Sequence, residues 1–230
     1  MKHYLPSHVA IIMDGNRRWA KSHSKRAVEG HRKGVDALMV IVEAAGALGI
    51  KYLTVYALSS ENYENRSKEE ISGLLDLINY GIKEYLPRLK KEGVKVNFLG
   101  DIKGLPVATR LIVGRIRNQL SSNKKLILNI AINYGSRKEI LRAADGLTKK
   151  GKEFNEENFE EELYTAGIPD PDFVIRTGGQ KRVSNFLLWQ ISYSELYFSD
   201  ILWPDFNKKE LDKALCNSFL SKSGHKISEK

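Results

Sequence analysis

Three polar clusters along the chain carry side chains of the kind that bind phosphate or metal ions. The first is DGNRR, at positions 14–18, directly after an apolar run. Asp14 offers a carboxylate that Mg²⁺ binds alongside phosphate oxygens, and Arg17 and Arg18 offer charge-assisted hydrogen bonds to phosphate. The free N–H groups of a helix start would add donors. The cluster predicts a diphosphate site with a divalent cation, although alone it also fits a capped helix start with solvated arginines.

A second polar cluster, SSENYENR, occupies positions 59–66 and is predicted to follow a strand. It offers hydroxyl, carboxylate, amide, aromatic and guanidinium groups in one short segment. Between the two clusters lies His31, whose imidazole is able to contact a diphosphate or transfer a proton near neutral pH. The plainer interpretations are a turn that caps a helix beginning near Ser67, and a helix-start histidine with a local hydrogen bond.

A third polar cluster, RTGGQKRVSN, begins at Arg176 and ends at position 185. Its two glycines allow the backbone to approach a ligand closely, and Arg176, Arg182 and Ser184 supply donors that suit a diphosphate. The competing interpretation is a flexible basic loop. Glu195 follows after a short gap, and it also fits a surface carboxylate at a strand edge.

The hydrophobic pattern predicts alternating strands and helices that position these clusters. Strands are predicted at residues 9–13, 51–57, 94–99, 126–132, 172–176 and 195–198, with helices between them. Such alternation is typical of βαβ units, so we expect a single α/β domain with a mainly parallel six-stranded sheet flanked by helices. We place its core at residues 8–220 and a polar tail at 221–230. The clusters follow strands, and the carboxyl ends of parallel strands form the ligand-binding edge of such a sheet.

Two Ser-x-x-Glu patterns predict helix starts with capping boxes, one from Ser67 to Glu70 and one from Ser136 to Glu139. The helix after Ser67 carries an apolar face, which consists of Ile71, Leu74, Leu75, Ile78 and Ile82. That face fits either an ordinary core or the wall of a tunnel for a hydrocarbon chain. Periodicity alone leaves both interpretations open.

The composition is that of a globular protein with an excess of positive charge. Of 230 residues, 42% are hydrophobic and 28% charged, and the formal net charge of +9 favours anionic partners. Cys216 is the only cysteine, which excludes an intramolecular disulfide and a cysteine metal cage. We expect a cytoplasmic protein, because neither a signal peptide nor a membrane-spanning run is found. The GxxxxGK[ST] and GxGxxG nucleotide motifs and a DDxxD cluster are also absent.

Taken together, these segments resemble the cis-prenyltransferase, or undecaprenyl diphosphate synthase, family over residues 8–206. The matching motifs are HVAIIMDGN, GH, SSEN, LNIAINYGSR, VIRTGG, SNFLLWQ, ELYF and WPDF. The resemblance implies a homodimer with a hydrophobic tunnel and Mg²⁺-dependent condensation of isopentenyl diphosphate with an allylic primer, farnesyl or geranylgeranyl diphosphate. It further implies a long-chain polyprenyl diphosphate product, a precursor of a glycosyl carrier lipid, with peripheral membrane contact on product release.

The same resemblance implies roles for individual residues. Asp14, Asn62 and His31 are the implied catalytic residues, with Asn62 assisting proton removal. Asp14 and Glu195 are the implied Mg²⁺ ligands. The implied allylic diphosphate pocket consists of Gly15, Asn16, Arg17, Arg18, Trp19, His31, Ser59, Ser60, Glu61, Tyr63 and Arg66. The implied isopentenyl diphosphate pocket consists of Arg176, Arg182, Val183 and Ser184, and the implied tunnel residues are Ala57, Val94 and Leu126, the last near the closed end.

Three other functions compete with that of a cis-prenyltransferase. A non-catalytic partner subunit of the same fold would tend to lose the metal-binding aspartate, whereas Asp14, Arg176 and Arg182 are all present. A phosphatase with Asp at the end of its first strand needs a second Asp two residues on, where this chain has Asn16. Nucleic-acid binding would suit the charge, but the chain contains no recognised nucleic-acid motif. We therefore expect an enzyme without a nucleic-acid partner.

Overall fold

The apolar runs form one six-stranded sheet in the computed structural model, which describes residues 5–222. The strands are β1 (His8–Ile12), β2 (Tyr52–Ser59), β3 (Val94–Leu99), β4 (Leu126–Tyr134), β5 (Phe173–Arg176) and β6 (Glu195–Phe198). Strands β1 and β5 are buried along their whole length, as expected for strands that are covered on both faces. Side chains are not described at residues 68, 78, 79, 82, 83 and 217–222, so the predicted positions of Ile78 and Ile82 lie outside the described part, as does the tail from 223.

The strand order explains why the polar clusters meet. The sheet has the order β3-β4-β2-β1-β5-β6, and every neighbouring pair is parallel. The predicted single α/β domain with a six-stranded sheet is confirmed, and the sheet is entirely parallel. Because β2, β1 and β5 are neighbours, the segments that follow them converge at one edge of the sheet.

Helices connect the strands and cover both faces of the sheet. Within the described residues they are α1 (Asn16–Ser22), α2 (Ala27–Leu48), α3 (Ser60–Asn65), α4 (Lys68–Lys91), α5 (Val107–Leu120), α6 (Ser136–Lys150), α7 (Glu156–Glu162) and α8 (Lys208–Lys222). A 3₁₀ turn spans Trp203–Asp205. None of the helices in residues 5–222 combines the length and apolar character that a membrane span requires.

Two apolar clusters fill the space between the helices and the sheet. In β1 the alternation is complete: Val9 and Ile11 belong to the larger cluster, whereas Ala10 and Ile12 belong to the smaller one. This is the alternation that the pleat of a strand imposes. The larger cluster also contains buried residues of α2, α5 and α8, and the smaller contains Phe186 from the segment that follows β5.

Of the two capping boxes predicted from Ser-x-x-Glu patterns, the first is confirmed for its serine cap only, and the second does not form. Ser67 caps α4, since its Oγ accepts a hydrogen bond from the Glu70 N–H at 3.2 Å. The prediction for Ser136 is wrong, because Ser136 already lies inside the first turn of α6. Glu139 is fully buried there, and its carboxylate accepts a hydrogen bond from the Tyr134 hydroxyl at 2.5 Å. The Glu139 carboxylate is thus bonded to a buried partner outside the helix and does not complete a capping box.

Candidate active site

The three polar clusters line one cavity at the carboxyl ends of β1, β2 and β5. Its lining residues are Ile12, Met13, Asp14, Gly15, Asn16, Arg17, Arg18, His31, Tyr56, Ala57, Ser59, Glu61, Asn62, Arg66, Arg176, Arg182, Ser184 and Asn185. We call this space the polar cavity. Most of the residues that the sequence predicted for substrate binding therefore come together. Tyr56 and Asn185 also line the cavity, although the sequence analysis did not single them out.

Asp14 forms two ion pairs, and the one with Arg176 joins the first polar cluster to the third. Arg18 Nη2 lies 3.0 Å from Asp14 Oδ1, and Arg176 Nη2 lies 3.0 Å from Asp14 Oδ2. Arg18 belongs to α1, whereas Arg176 ends β5, so one carboxylate fixes two arginines from distant parts of the chain. The Asp14 side chain is 29% exposed. Each of its oxygens therefore keeps acceptor capacity for a ligand or cation that enters the cavity.

Arg176 is held rigidly, and it retains one unused donor. Its side chain is only 5% exposed. Nη1 donates to Ser184 Oγ at 2.7 Å and to the Arg182 carbonyl oxygen at 2.6 Å. Its Nε is buried and has no hydrogen-bond partner among the described residues. A buried guanidinium N–H without a partner is uncommon in proteins, and an anionic ligand would satisfy it.

Asn185 connects the loop after β5 to the two helices beside it. Its Oδ1 accepts a hydrogen bond from the Arg137 N–H at 2.9 Å, at the start of α6. Its Nδ2 donates to Glu61 Oε1 at 2.6 Å, in α3. Ser184 and Asn185 both adopt left-handed backbone conformations, with φ of 49° and 61°, which are costly for residues other than glycine and are found at functional sites. The bonds of Asn185 hold this strained turn in place.

The polar segment after β2 forms the short helix α3, where the sequence predicted a capping turn. Ser59 caps this helix by accepting a hydrogen bond from the Asn62 N–H at 3.1 Å. Burial acts to raise the pKa of Glu61, but hydrogen bonds from its own backbone N–H, from Asn185 and from Ser59 lower this pKa overall. Glu61 is therefore an ionised acceptor at neutral pH, and it orients Asn185.

Helices α1 and α2 pack closely where they form the wall beside the polar cavity. A Cβ atom on Gly30 would lie 2.2 Å from the Asn16 carbonyl oxygen, and one on Gly34 would lie 2.4 Å from Asn16 Oδ1. Only glycine fits at these two positions of α2. Asn16 Oδ1 is buried without a hydrogen-bond partner among the described residues.

His31 is neutral in this arrangement. Burial, together with the nearby guanidinium groups of Arg66 and Arg17, lowers the pKa of His31 to about 4. Burial also lowers the pKa of Arg66. At pH 7 the imidazole offers one donor and one acceptor but no positive charge, so the arginines supply the cationic character of this wall.

Four residues of the predicted diphosphate pockets lie outside the cavity lining. Trp19 is buried, and its Nε1 donates to Asp205 Oδ1 at 2.8 Å, which attaches α1 to the 3₁₀ turn. Tyr63 donates its hydroxyl to a backbone carbonyl of the loop after β3. Ser60 is buried at the start of α3, and Val183 packs against the smaller apolar cluster. All four support the elements that carry the site.

An apolar cavity adjoins the polar one on the side of α2 and α4. Four residues, Met13, Asn16, His31 and Ala57, line both cavities. The remaining lining comes largely from α2, α4 and the strands β2, β3 and β4. Ala57, a predicted tunnel residue, therefore lies where the two cavities meet.

The other two predicted tunnel residues, Val94 and Leu126, lie beyond the lining of the apolar cavity. They pair with each other at the first positions of β3 and β4. Val96 and Leu128, two residues further along the same face of the strands, do line it. Val94 and Leu126 are 2% and 0% exposed. They therefore lie two residues before the lining, toward the amino ends of the two strands.

Glu195 lies apart from Asp14 within the chain. It is the first residue of β6 and pairs with Phe173, whereas Arg176, the partner of Asp14, pairs with Phe198. This offset of three residues corresponds to about 10 Å along the strands. The structure thus does not bring the two predicted Mg²⁺ ligands together, and among the described residues no group of three or more His, Cys, Asp or Glu side chains is placed to hold a metal ion.

Comparisons with known proteins agree on one family. Residues 12–223 match the family model described as putative undecaprenyl diphosphate synthase. The chain is 45% identical over 216 residues to an isoprenyl transferase of Fusobacterium nucleatum, covering 94% of this chain and 93% of that protein. It is 44% identical over 218 residues to the farnesyl-diphosphate-specific ditrans,polycis-undecaprenyl-diphosphate synthase of Pasteurella multocida, covering 92% and 90%. The crystal structure of lavandulyl diphosphate synthase from Lavandula x intermedia with dimethylallyl diphosphate superposes with a TM-score of 0.86 at 35% identity, covering 93% and 95%.

Proposed function

The chain belongs to the undecaprenyl diphosphate synthase family of prenyltransferases, and from that premise we propose that it condenses isopentenyl diphosphate with an allylic diphosphate primer in a Mg²⁺-dependent reaction. The observation that carries this proposal is that the polar and apolar cavities adjoin and share four lining residues. The polar cavity is lined by five arginines, which suit two diphosphate groups. The apolar cavity beside it suits a prenyl chain.

The polar cavity has two arginine-lined walls, and we assign one substrate to each. The wall built from α1, α2 and α3 carries Arg17, Arg18 and Arg66, and it adjoins the apolar cavity. An allylic diphosphate fits there, because its hydrocarbon tail could enter the apolar cavity. The wall after β5 carries Arg176 and Arg182, and the short isopentenyl group needs no long cavity beside it.

The chemistry follows from the charges that line the cavity. The C–O bond of the allylic diphosphate breaks, and the bond electrons leave with the diphosphate, which gains negative charge. Guanidinium groups already fixed by Asp14, such as that of Arg18, stabilise that charge without reorganisation. The isopentenyl double bond attacks the allylic cation to form the new C–C bond, and the cation that results loses a proton to the released diphosphate as a new double bond forms. The Asn62 amide lies in the same cavity and would orient the reacting groups as the proton departs.

The donor set fits Mg²⁺ that is held jointly by protein and substrate. Mg²⁺ commonly binds through one or two carboxylates plus substrate phosphates and water. Asp14 is partly exposed in the cavity, and both of its oxygens keep acceptor capacity beside their arginine partners. When bound, the cation would neutralise charge on a diphosphate. Glu195 is proposed as a further ligand only on the family resemblance, since it lies apart from Asp14 in the chain.

The primer and the product are proposed from the relatives. The Pasteurella multocida relative is named as specific for farnesyl diphosphate, and we propose farnesyl or geranylgeranyl diphosphate as the primer here. The product would be a long-chain polyprenyl diphosphate, made in the cytoplasm as precursor of a glycosyl carrier lipid. We also propose that the chain acts as a homodimer and contacts a membrane peripherally when the product leaves.

One assay tests the proposed activity. Purified protein would be incubated with labelled isopentenyl diphosphate and each allylic primer in turn, with Mg²⁺ or with a chelator, and the product chains would be sized. We expect extended chains with Mg²⁺ and none with the chelator. Absence of any product with every primer, with activity restored by a second, different chain of the same fold, would instead identify a non-catalytic subunit.

A further inference from the structure

The positive charge of the chain is concentrated in one segment. Residues 102–138 contain eight Lys or Arg and no Asp or Glu. By contrast, residues 153–175 contain eight Asp or Glu and no Lys or Arg. The formal net charge of +9 therefore conceals two oppositely charged regions.

The sheet order separates these two regions in space. Six of the eight basic residues lie between β3 and β4, around α5 at the edge formed by β3, and the other two, Arg137 and Lys138, begin α6. The acidic segment includes α7 and leads into β5. Strands β4, β2 and β1 lie between β3 and β5, which amounts to about 19 Å across the sheet. A negatively charged surface would attract the β3 edge and repel the opposite side, so it would orient the whole molecule.

The outer side of α5 combines this charge with exposed apolar side chains. Val107 and Leu111 are 61% and 71% exposed and lie one helical turn apart. Arg110 and Arg115, also exposed, adjoin them on the same helix, and Lys103 precedes it. We call these five residues the α5 face. Among the side chains described, only Lys125 and Lys138 of the eight basic residues form ion pairs, so the charges of the α5 face are free to meet a partner.

We propose that the α5 face docks on an anionic lipid bilayer surface. An exposed helix face that mixes Lys or Arg with Leu and Val is the pattern of interfacial membrane binding, in which the apolar groups enter the headgroup region and the cations meet lipid phosphates. Single-stranded RNA fits less well, because such sites stack bases on aromatic rings, and the α5 face contains none. This docking rests on the proposed function, because the polyprenyl diphosphate product must leave the protein.

The inner side of the same helix supports this assignment. Ile116, on α5, lines the apolar cavity that is proposed to hold the prenyl chain, and Val113 is buried beneath it in the larger cluster. Only the thickness of one helix, about 10 Å, therefore separates the cavity from the α5 face. Docking through this face would place the hydrocarbon product next to the bilayer.

Vesicle sedimentation tests the proposal with the full-length chain. Phosphatidylcholine vesicles with and without phosphatidylglycerol would be compared for the wild type and for an Arg110→Glu/Arg115→Glu variant. Lys209→Glu/Lys213→Glu on α8 is the control, because it changes the net charge by the same amount at exposed positions elsewhere. We expect binding only with phosphatidylglycerol, at least about tenfold weaker for the α5 variant and within about twofold of wild type for the α8 variant.

A second pair of variants tests the apolar part. Leu111→Gln should also weaken vesicle binding several-fold, whereas Leu141→Gln, equally exposed at 71% on α6, should not. Equal loss in the α5 and α8 charge variants would overturn the proposal, since bulk charge would then suffice. Preferential binding of RNA through Arg110 and Arg115 would overturn it too. Turnover of soluble substrates should be unchanged in all four variants, and this separates a failed docking surface from a failed enzyme assignment.

Discussion

At the scale of single residues, the candidate site depends on how Asp14 is shared. Its two oxygens hold two guanidinium groups at 3.0 Å, one from each wall of the polar cavity. Loss of this carboxylate would release both arginines and remove the carboxylate that is proposed to hold Mg²⁺ beside them. Arg176 would remain bound to Ser184 and to a backbone carbonyl, so the fold should survive the loss.

We therefore predict that Asp14→Ala lowers the turnover number at least about a hundredfold at saturating substrates and Mg²⁺. Thermal unfolding should show a folded protein. Asp145→Ala, which removes an exposed carboxylate paired with Lys149 on α6, is the matched control and should retain activity. Near-wild-type turnover by Asp14→Ala would contradict the proposed mechanism.

Asn185 is a positioning residue, because it acts on the site through Ser184 and Glu61. Replacement by glycine tolerates its φ of 61° and removes only the side chain. We predict that Asn185→Gly raises the KM for isopentenyl diphosphate about tenfold, a loss typical of a charged hydrogen bond, with less effect on the KM for the primer. Steady-state kinetics with each substrate varied would measure this.

The chain offers a matched control for that variant. Asn133 also has positive φ, at 47°, but its side chain bonds to the Asp101 carbonyl oxygen and does not line the polar cavity. Asn133→Gly should leave both KM values near wild type. Equal changes in the two variants would mean that the effect comes from backbone freedom and not from the Asn185 side chain.

The sequence predicted those site residues whose chemistry stands out within a short motif. Asp14, Arg18 and Arg176 were found because charged groups after strands are expected at the ligand edge of a parallel sheet. Asn185 was missed for two reasons. It bonds to Glu61, which is far away in sequence, and its left-handed backbone conformation is one that asparagine tolerates but that residue type alone does not predict. Trp19 was placed in the pocket by motif alone, whereas its ring is buried.

At the scale of elements, we expect strands β3 and β4 to close the end of the apolar cavity. Leu126 is fully buried two residues before Leu128, a lining residue on the same face of β4. Truncating Leu126 would extend the cavity toward the amino ends of these strands. We predict that Leu126→Ala shifts the product distribution toward longer prenyl chains, measured by sizing labelled products, at a cost in folding stability of about 2–5 kcal/mol.

A buried leucine elsewhere in the chain provides a control that distinguishes an effect of cavity shape from an effect of lost stability. Leu147, on α6, is also 0% exposed but does not line the apolar cavity. Leu147→Ala should cost similar stability and leave the product length unchanged. The same product lengths in the wild type and in Leu126→Ala would count against the position assigned to the closed end.

A buried polar chain links β1, β2 and β4 near their amino ends. His8 Nδ1 lies 2.6 Å from the Pro169 carbonyl oxygen, to which it must donate, so in the neutral ring Nε2 accepts from the Thr54 hydroxyl at 2.7 Å. Thr54 accepts in turn from Asn129 Nδ2 at 3.0 Å. Burial is the main reason that the pKa of His8 falls from 6.5 to about 4. The neutral ring is thus part of the folded state.

This predicts a loss of stability in mild acid. Because the folded pKa of His8 lies below that of the unfolded chain, the unfolded chain takes up the proton first as the pH falls. The contribution of neutral His8 is complete above about pH 6.5 and is lost as the pH falls toward 4, by about 2 kcal/mol at pH 5. Urea unfolding at pH 7 and pH 5 should show a loss of stability that is about 2 kcal/mol larger in the wild type than in His8→Asn, where His31, whose pKa is also lowered to about 4, still contributes. The loss should be unchanged in His23→Asn, where the histidine is exposed.

The elements show which local patterns are reliable. Val94–Leu99 and Glu195–Phe198 were predicted with the bounds that the structure shows, because glycines flank the first segment and serines flank the second. Helix α3 was missed because six polar residues carry no apolar period. The Ser136 cap failed because buried partners outside the helix, the Tyr134 hydroxyl and the distant Tyr164 N–H, bond to the same glutamate.

At the scale of the whole molecule, the strand order could not be predicted from the pattern of strands and helices. Alternation specifies a parallel sheet, but many orders satisfy it. The observed order puts β2, β1 and β5 side by side, and only this adjacency turns three distant motifs into one cavity. It also puts β6 at one edge of the sheet, with no strand beyond it in the described residues.

That edge is where we expect the proposed homodimer to form. Leu196 lies in β6, and Tyr193 and Ile201 lie shortly before and after this strand; they are 48%, 100% and 38% exposed. Exposed apolar residues beside the open side of an edge strand are normally covered. We predict that the wild type sediments in analytical ultracentrifugation at about twice the chain mass of 26.1 kDa. Leu196→Glu should weaken self-association by about tenfold or more, because a buried charge without a partner opposes association. Leu141→Glu, on an exposed site of α6, should remain dimeric. Sedimentation of the wild type as a monomer, or equal dissociation of both variants, would rule out this edge as the interface.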